Sequence, residues 1–404
     1  MNKRVVITGL GVISSLGVGW HAFWEGLLQG RSGIGPVTGF DTREHFTHNG
    51  GEVKAFRPEE FIDPVRLPGL SRASQMALAA AKLAVRDAAL SPGEGPARSG
   101  AVCIGTNIGS VQSVEKVDEI IVRERSYAVE RQLLAQLPTN TTAAEIAREF
   151  GLTGPALMFS TACAAGNYAI GYGSDLIRTG RADLVLAGGS DAFSKVAFTG
   201  FNQFKAVAPE KCQPFDLNRK GMMVAEAAGI LILESLERAE ARQAPVYGEV
   251  AGYGLSCDAH HMTTSSVEGV AACMEKALQE AGCAAGDVDY ISAHGTGTPT
   301  NDKNECAAIS LVFGDRAKTV PTSSIKSMIG HTMGAASALE AVVCALAVKY
   351  DMIPPTINYE TPDPACAIDC VPNRARKQRV AVALNNSYAF GGNNASLVVK
   401  KFES

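Results

Sequence analysis

A chain of 404 residues, 46% hydrophobic and 19% charged, has material for a large buried core, and its composition excludes a disordered chain. A formal net charge of −4 leaves no basic surplus to neutralise phosphates, which argues against a nucleic-acid partner. The 41 glycines point to close-packed layers joined by tight turns.

The segment "MNKRVVITGLGVISSLG" starts basic, but glycines break its apolar run and it carries no cleavage site; it reads as a first strand (4–9) and turn, not a signal peptide. Residues 36–70 carry few periodic signals. A helical pattern over 72–90 leads to a β-branched strand at 100–107, "GAVCIGTN". Residues 111–150 are richer in charge ("EKVDEIIVRERSYAVERQ") and read as a helical insertion with no match in the second half. A strand at 155–161 then runs into "STACAAG" and an apolar helix over 165–180. Strands at 183–189 and 228–235 follow, with a polar helix "ESLERAEARQ" and Pro245 closing the first half.

The second half repeats the theme. A strand at 246–254, a helix at 267–282 and a strand at 288–295 lead to the small-residue turn "SSIKSMIGHTMGAAS". The helix over 334–350 that follows is apolar nearly all round and belongs in a central layer. Its run "AVVCALAV" is too short to span a bilayer, which needs about 20 residues. Strands at 379–387 and 395–401 complete the chain. Two halves, 1–245 and 246–404, each a sheet with a buried helix, predict an α/β body of five layers, αβαβα, with two candidate active turns meeting at the junction.

Ten cysteines are scattered without a CxxC; Cys366-x₃-Cys370 has no histidine nearby and is a weak metal signal. Most read as small buried hydrophobes in a reducing, cytoplasmic compartment. Cys163 is different in its setting, after a strand and at a helix start, where the helix dipole would lower its pKa. A packed core thiol is the bland alternative. His294 ends a strand before glycine–threonine alternation, a loop type that often carries catalytic side chains. Lys326 and His331 share the turn at 323–337, and Glu340 on the following helix could pair with the lysine.

Together "STACAAG", "AHGTGTPTND", "KSMIGHTMGAAS" and "NNSYAFGGNNAS" resemble the β-ketoacyl-acyl-carrier-protein synthases of the elongating class, over nearly the full chain. The resemblance implies the thiolase fold, a homodimer (or a heterodimer with a ketosynthase-like partner) and an acyl carrier protein as partner. It implies that Cys163 is the nucleophile, that His294 and His331 are the active-site histidines, and that Lys326 pairs with Glu340. Phe390 would share an oxyanion hole with Cys163 through its backbone N–H and gate the acyl pocket with its ring. No cofactor or metal is expected, since the carrier brings the phosphopantetheine arm. Lys205, Arg66 and Arg72 are candidates for docking the acidic carrier.

The sequence departs from that pattern at Met222, Met223 and Ala225, at Ala389 and Asn393 of the gating loop, and at Ser337, where glycine is common. These changes leave two pathways open, fatty-acid elongation and a specialised polyene or polyketide route. Two other readings also stand: a non-catalytic chain-length partner, and an acyltransferase or decarboxylase that does not condense.

Overall fold

The computed structural model describes residues 3–90 and 99–403. The first half contributes β1 (Val5–Ser14), β2 (Ala101–Gly105), β3 (Ala156–Phe159), β4 (Leu184–Asp191) and β5 (Ala227–Ser235). The second contributes β6 (Gly248–Cys257), β7 (Tyr290–Ser292), β8 (Thr322–Ser323), β9 (Val382–Tyr388) and β10 (Asn393–Lys400). Their order across the sheet is β8-β7-β9-β10-β6-β1-β5-β4-β2-β3. Read outward from the centre, each half repeats the other, with two antiparallel pairings followed by two parallel ones. The sequence predicts two separate sheets. They are joined at the middle, where Val6 and Ile7 of β1 pair with Glu249 and Gly248 of β6. The two-residue β8 is too short to leave a periodic signal.

Helices Ala165–Arg178 and Ala336–Tyr350 lie between the two halves of the sheet and touch strands of both. Every residue from Ala336 to Val348 is buried, which explains the helix's lack of a polar face. The apolar stretch Met333–Tyr350 has the 18 residues and hydropathy of a membrane span, longer than the run read from sequence, but 89% of it is buried inside the molecule. Gly166 sits where the two helices cross. A Cβ there would lie 2.6 Å from Ala338 N and 2.8 Å from Ser337 Oγ, so only glycine allows the approach.

Helix Arg72–Asp87 covers the outer face of the first half, with Ser71 capping it through the N–H of Ser74. Helix Val267–Glu280 does the same for the second half, capped by Ser266 through the N–H of Gly269. Helix Thr141–Phe150 packs beside the first as Pro299–Phe313 packs beside the second. The expected insertion over 111–150 therefore shrinks: its last helix has a counterpart, and the unmatched part is helix Val111–Arg123, the short Arg131–Ala135 and their linkers. Charge drew the sequence reading too far because Thr141–Phe150 keeps a charged outer face above a buried Thr142, Ala143, Ile146 and Ala147.

Candidate active site

Two tight turns, related by the internal repeat, face each other between the halves. After β3 the chain makes a single 3₁₀ turn, Ala162–Ala164, into the first central helix; after β8 it makes another, Met333–Ala335, into the second. Each turn opens with a non-glycine residue in the left-handed region, Ala162 at φ 48° and Met333 at φ 52°. Cys163 follows the first and Gly334 the second. A Cβ on Gly334 would stand 2.4 Å from the Thr106 backbone, so only one of the two turns can carry a side chain.

The structure brings Cys163, His294 and His331 together: the sulfur and one ring nitrogen of each histidine all lie within 4.8 Å of one another. All three are buried, yet they line a cavity of about 500 Å³. That cavity is also lined by Ile108, Ala162, Phe201, Phe204, Met222 and Phe390.

Hydrogen bonds set the state of both rings. His331 Nδ1 accepts the Met333 backbone N–H at 3.1 Å, so its Nε2 carries the proton. Lys326 Nζ stands 3.5 Å from His294 Nδ1 and donates to it, leaving Nε2–H there as well. Burial first, then the Lys326 cation, holds both imidazoles well below their ordinary pKa, with His331 adding to the effect on His294. Two neutral N–H donors therefore converge on the space beside the sulfur. The same bonds oppose metal binding, because a histidine ligand ordinarily donates through its other nitrogen, and here both Nδ1 atoms accept.

Lys326 makes a short ion pair with Glu340, each 1% exposed. This is the pairing expected from sequence. Burial pushes the Glu340 carboxyl up to about 7, against the pull of Lys326. Cys163 departs from expectation: burial pushes its thiol up to about 12, outweighing Lys326, which lowers it. Desolvation is the largest influence on the sulfur. Alkylation of Cys163 by iodoacetamide, followed by peptide mass, is expected to keep accelerating from pH 7 through pH 9; a plateau near neutrality would mean a depressed thiol pKa.

Several groups that hold the site escaped the sequence reading. Buried Glu305 accepts the N–H groups of His294 (2.8 Å) and Gly295 (2.7 Å), and burial pushes its carboxyl up to about 8. Asp191, at the end of β4, accepts from Thr106 Oγ1 (2.6 Å), Asn107 N (2.7 Å) and Gly334 N (2.6 Å), tying the β2 loop to the second turn. Burial pushes it up to about 6. The segment 221–226, noted above only for its unusual methionines, is a backbone brace. His331 N donates to Met223 O (2.7 Å), Ala225 N to His331 O (2.9 Å) and Gly221 N to Gly297 O (2.9 Å). Met222 lines the cavity and Met223 is buried behind it.

At the mouth, the Phe390 ring leans on Phe201 and Phe204, with centroids 6.0 and 6.3 Å away. Its loop is tethered by Ala389 N to Asn393 O (3.0 Å) and Gly391 N to Met262 O (2.8 Å). Lys205 is exposed and lines the same mouth. The other two docking candidates are elsewhere. Arg66 is held by Glu145 and Glu149, and Arg72 by Glu226, and neither lines the cavity. Their charges serve internal ion pairs: Glu226 also accepts the N–H groups of Val53 and Phe193.

Comparison with known proteins matches the chain to a family. Residues 2–239 match the β-ketoacyl synthase N-terminal domain and residues 247–360 its C-terminal domain. The chain belongs to the β-ketoacyl synthase family. This synthase is 41% identical over 402 residues to nodulation protein E of Rhizobium meliloti (strain 1021), covering 99% of this chain and 100% of the relative. It is 39% identical over 411 residues to 3-oxoacyl-[acyl-carrier-protein] synthase 2 of Staphylococcus aureus (strain COL), covering 100% and 99%. Among solved structures, the ishigamide ketosynthase/chain length factor superposes with a TM-score of 0.97 at 44% identity, over 100% of both chains. The ketosynthase of a type II PKS acyl-carrier protein complex (AntDE:AntF) does so with 0.93 at 34%, again over 100% of both chains. The duplicated architecture is the thiolase fold of these ketosynthases.

Proposed function

We propose that the protein is a β-ketoacyl-acyl-carrier-protein synthase, an acyltransferase that condenses a malonyl unit with an acyl chain carried on Cys163. The observation that carries this reading is the convergence of the Cys163 sulfur with two histidines whose Nδ1 atoms are both occupied. The Cys163 sulfur attacks an acyl thioester; its S–C bond forms, the carrier's S–C bond breaks, and the thiol proton leaves with the carrier thiol. Backbone N–H groups of Cys163 and Phe390 hold the oxyanion, an interaction of several kcal/mol in acyl transfer. Malonyl carrier enters next. As its C–CO₂ bond breaks, the electron pair becomes an enolate whose oxygen takes the two Nε2–H bonds of His294 and His331. The enolate carbon attacks the acyl group, the Cys163 thiolate departs, and one proton restores the thiol.

Lys326 and Glu340 act behind the histidines, the lysine by holding the His294 tautomer. Lys205 contributes to docking an acidic acyl carrier protein at the mouth. The chain works as a dimer with a second ketosynthase-like chain. The half-exposed edge strand β3 supports this, as does helix Val111–Arg123, in which only Ser113 is buried. The proposal needs no cofactor and fits a cytoplasmic enzyme of fatty-acid, polyene or polyketide synthesis.

Intact-mass analysis with malonyl carrier and a panel of acyl carriers tests the reading. The expected result is an acyl adduct at Cys163 followed by a product two carbons longer. No adduct with any donor would overturn it; an adduct without extension would favour acyl transfer alone.

A further inference from the structure

In a regular helix the carbonyl of Cys163 would accept the N–H of Asn167, four residues on. It does not. A hydroxyl from the other central helix is inserted into that bond: Asn167 N donates to Ser337 Oγ (3.1 Å), and Ser337 Oγ donates to Cys163 O (3.1 Å). A second hydroxyl, Ser387 Oγ on β9, donates to the same carbonyl at 2.8 Å. Both serines are fully buried. The cross-helix reach is possible because Gly166, which mirrors Ser337 in the internal repeat, has no Cβ to block it. Asn385 locks the pair from behind, donating to Ser337 O (2.9 Å) and to Asn167 Oδ1 (2.9 Å).

We infer that Ser337 and Ser387 are positioning residues for the nucleophile. Resting on the reading of Cys163 as the acyl carrier, the inference adds what aims it. Two O–H donors fix the Cys163 carbonyl, and so fix ψ of Cys163 and the place of its sulfur relative to the helix axis. The hydroxyl hydrogens also face the nucleophile's own peptide, where their positive ends favour the thiolate that must form during attack. Neither serine lines the cavity. Ser337 acts across a helix crossing, so this chain couples its second half to its nucleophile through a side chain.

The test uses the full-length protein with Ser337→Ala, Ser387→Ala and the double variant, each checked for folding by its thermal transition. Single variants are expected to acylate Cys163 roughly 10-fold more slowly, with KM for the acyl carrier near the wild-type value. Their iodoacetamide alkylation profiles should move to higher pH. The double variant should lose more than the product of the two singles, because the donors share one acceptor. Singles that fold, acylate and alkylate as wild type would overturn the inference, and so would losses confined to KM or to the thermal transition. If the wild-type protein itself takes no acyl group, it is the condensing-enzyme reading that fails.

Discussion

Cys163→Gln is expected to take up no acyl group while continuing to release CO₂ from malonyl carrier. Acyl transfer needs the sulfur, and no other cysteine lines the cavity. Loss of a nucleophile ordinarily costs 10⁴-fold or more, roughly the whole covalent route. Decarboxylation needs only the enolate's oxygen to be held, and the donors for that are His294 and His331. The cavity of about 500 Å³ beside the sulfur leaves a glutamine side chain room. Intact mass reports the adduct and trapped CO₂ reports decarboxylation, so the two steps are read separately. A persisting adduct would move the nucleophile elsewhere. Loss of CO₂ release along with the adduct would mean that the histidines do not act without the sulfur.

The sequence discloses the elements of this fold because its periodic signals are strong. Nine β-branched runs become nine strands, and the four alanine-rich patterns become the two central helices and two outer ones. The repeat was visible in the small-residue turns at 160–166 and 330–337, since each must start a central helix in tight quarters. Less legible was anything set by long-range approach. Glu305 is eleven residues past His294 and looks like an ordinary helix carboxylate until the fold aims it at two backbone N–H groups. Asp191 reads only as the polar end of a strand. Arg66 and Arg72 looked like free surface cations, because their partners Glu145, Glu149 and Glu226 lie far along the chain. The same holds for the thiol: the helix dipole is a local feature, whereas the desolvation that raises its pKa depends on everything packed around the site. Ser337 was visible as a departure from the family pattern, but its reach to Cys163 requires the helix crossing at Gly166.

Lys326→Met carries the second large effect, and it separates stability from chemistry. The substitution leaves the Glu340 carboxyl buried without its cation, and breaking such a pair costs about 3–5 kcal/mol. Adding Glu340→Leu removes the orphaned charge and should recover most of that stability. It should not recover the rate. His294 has lost the donor at Nδ1, so its proton can sit on either nitrogen, and decarboxylation is expected to stay roughly 10²-fold down. A double variant restored in both would reduce Lys326 to a stability element. The titration of the two histidines gives an independent check. Both histidines are held well below 6.5 in the folded protein, so below about pH 6.5 the unfolded chain takes up protons that the folded one refuses. These two groups therefore lower stability as pH falls below about 6.5, while the raised carboxyls of Glu305, Glu340 and Asp191, which take up protons in the folded protein first, act in the opposite direction. Lys326 is one cause of both shifts, so in the double variant the folded histidines titrate nearer 6.5, which the pH dependence of their ring-proton NMR signals reads directly. Ring titrations unchanged from wild type would show that burial alone keeps the rings neutral, and the lysine's role would then narrow to fixing the His294 tautomer.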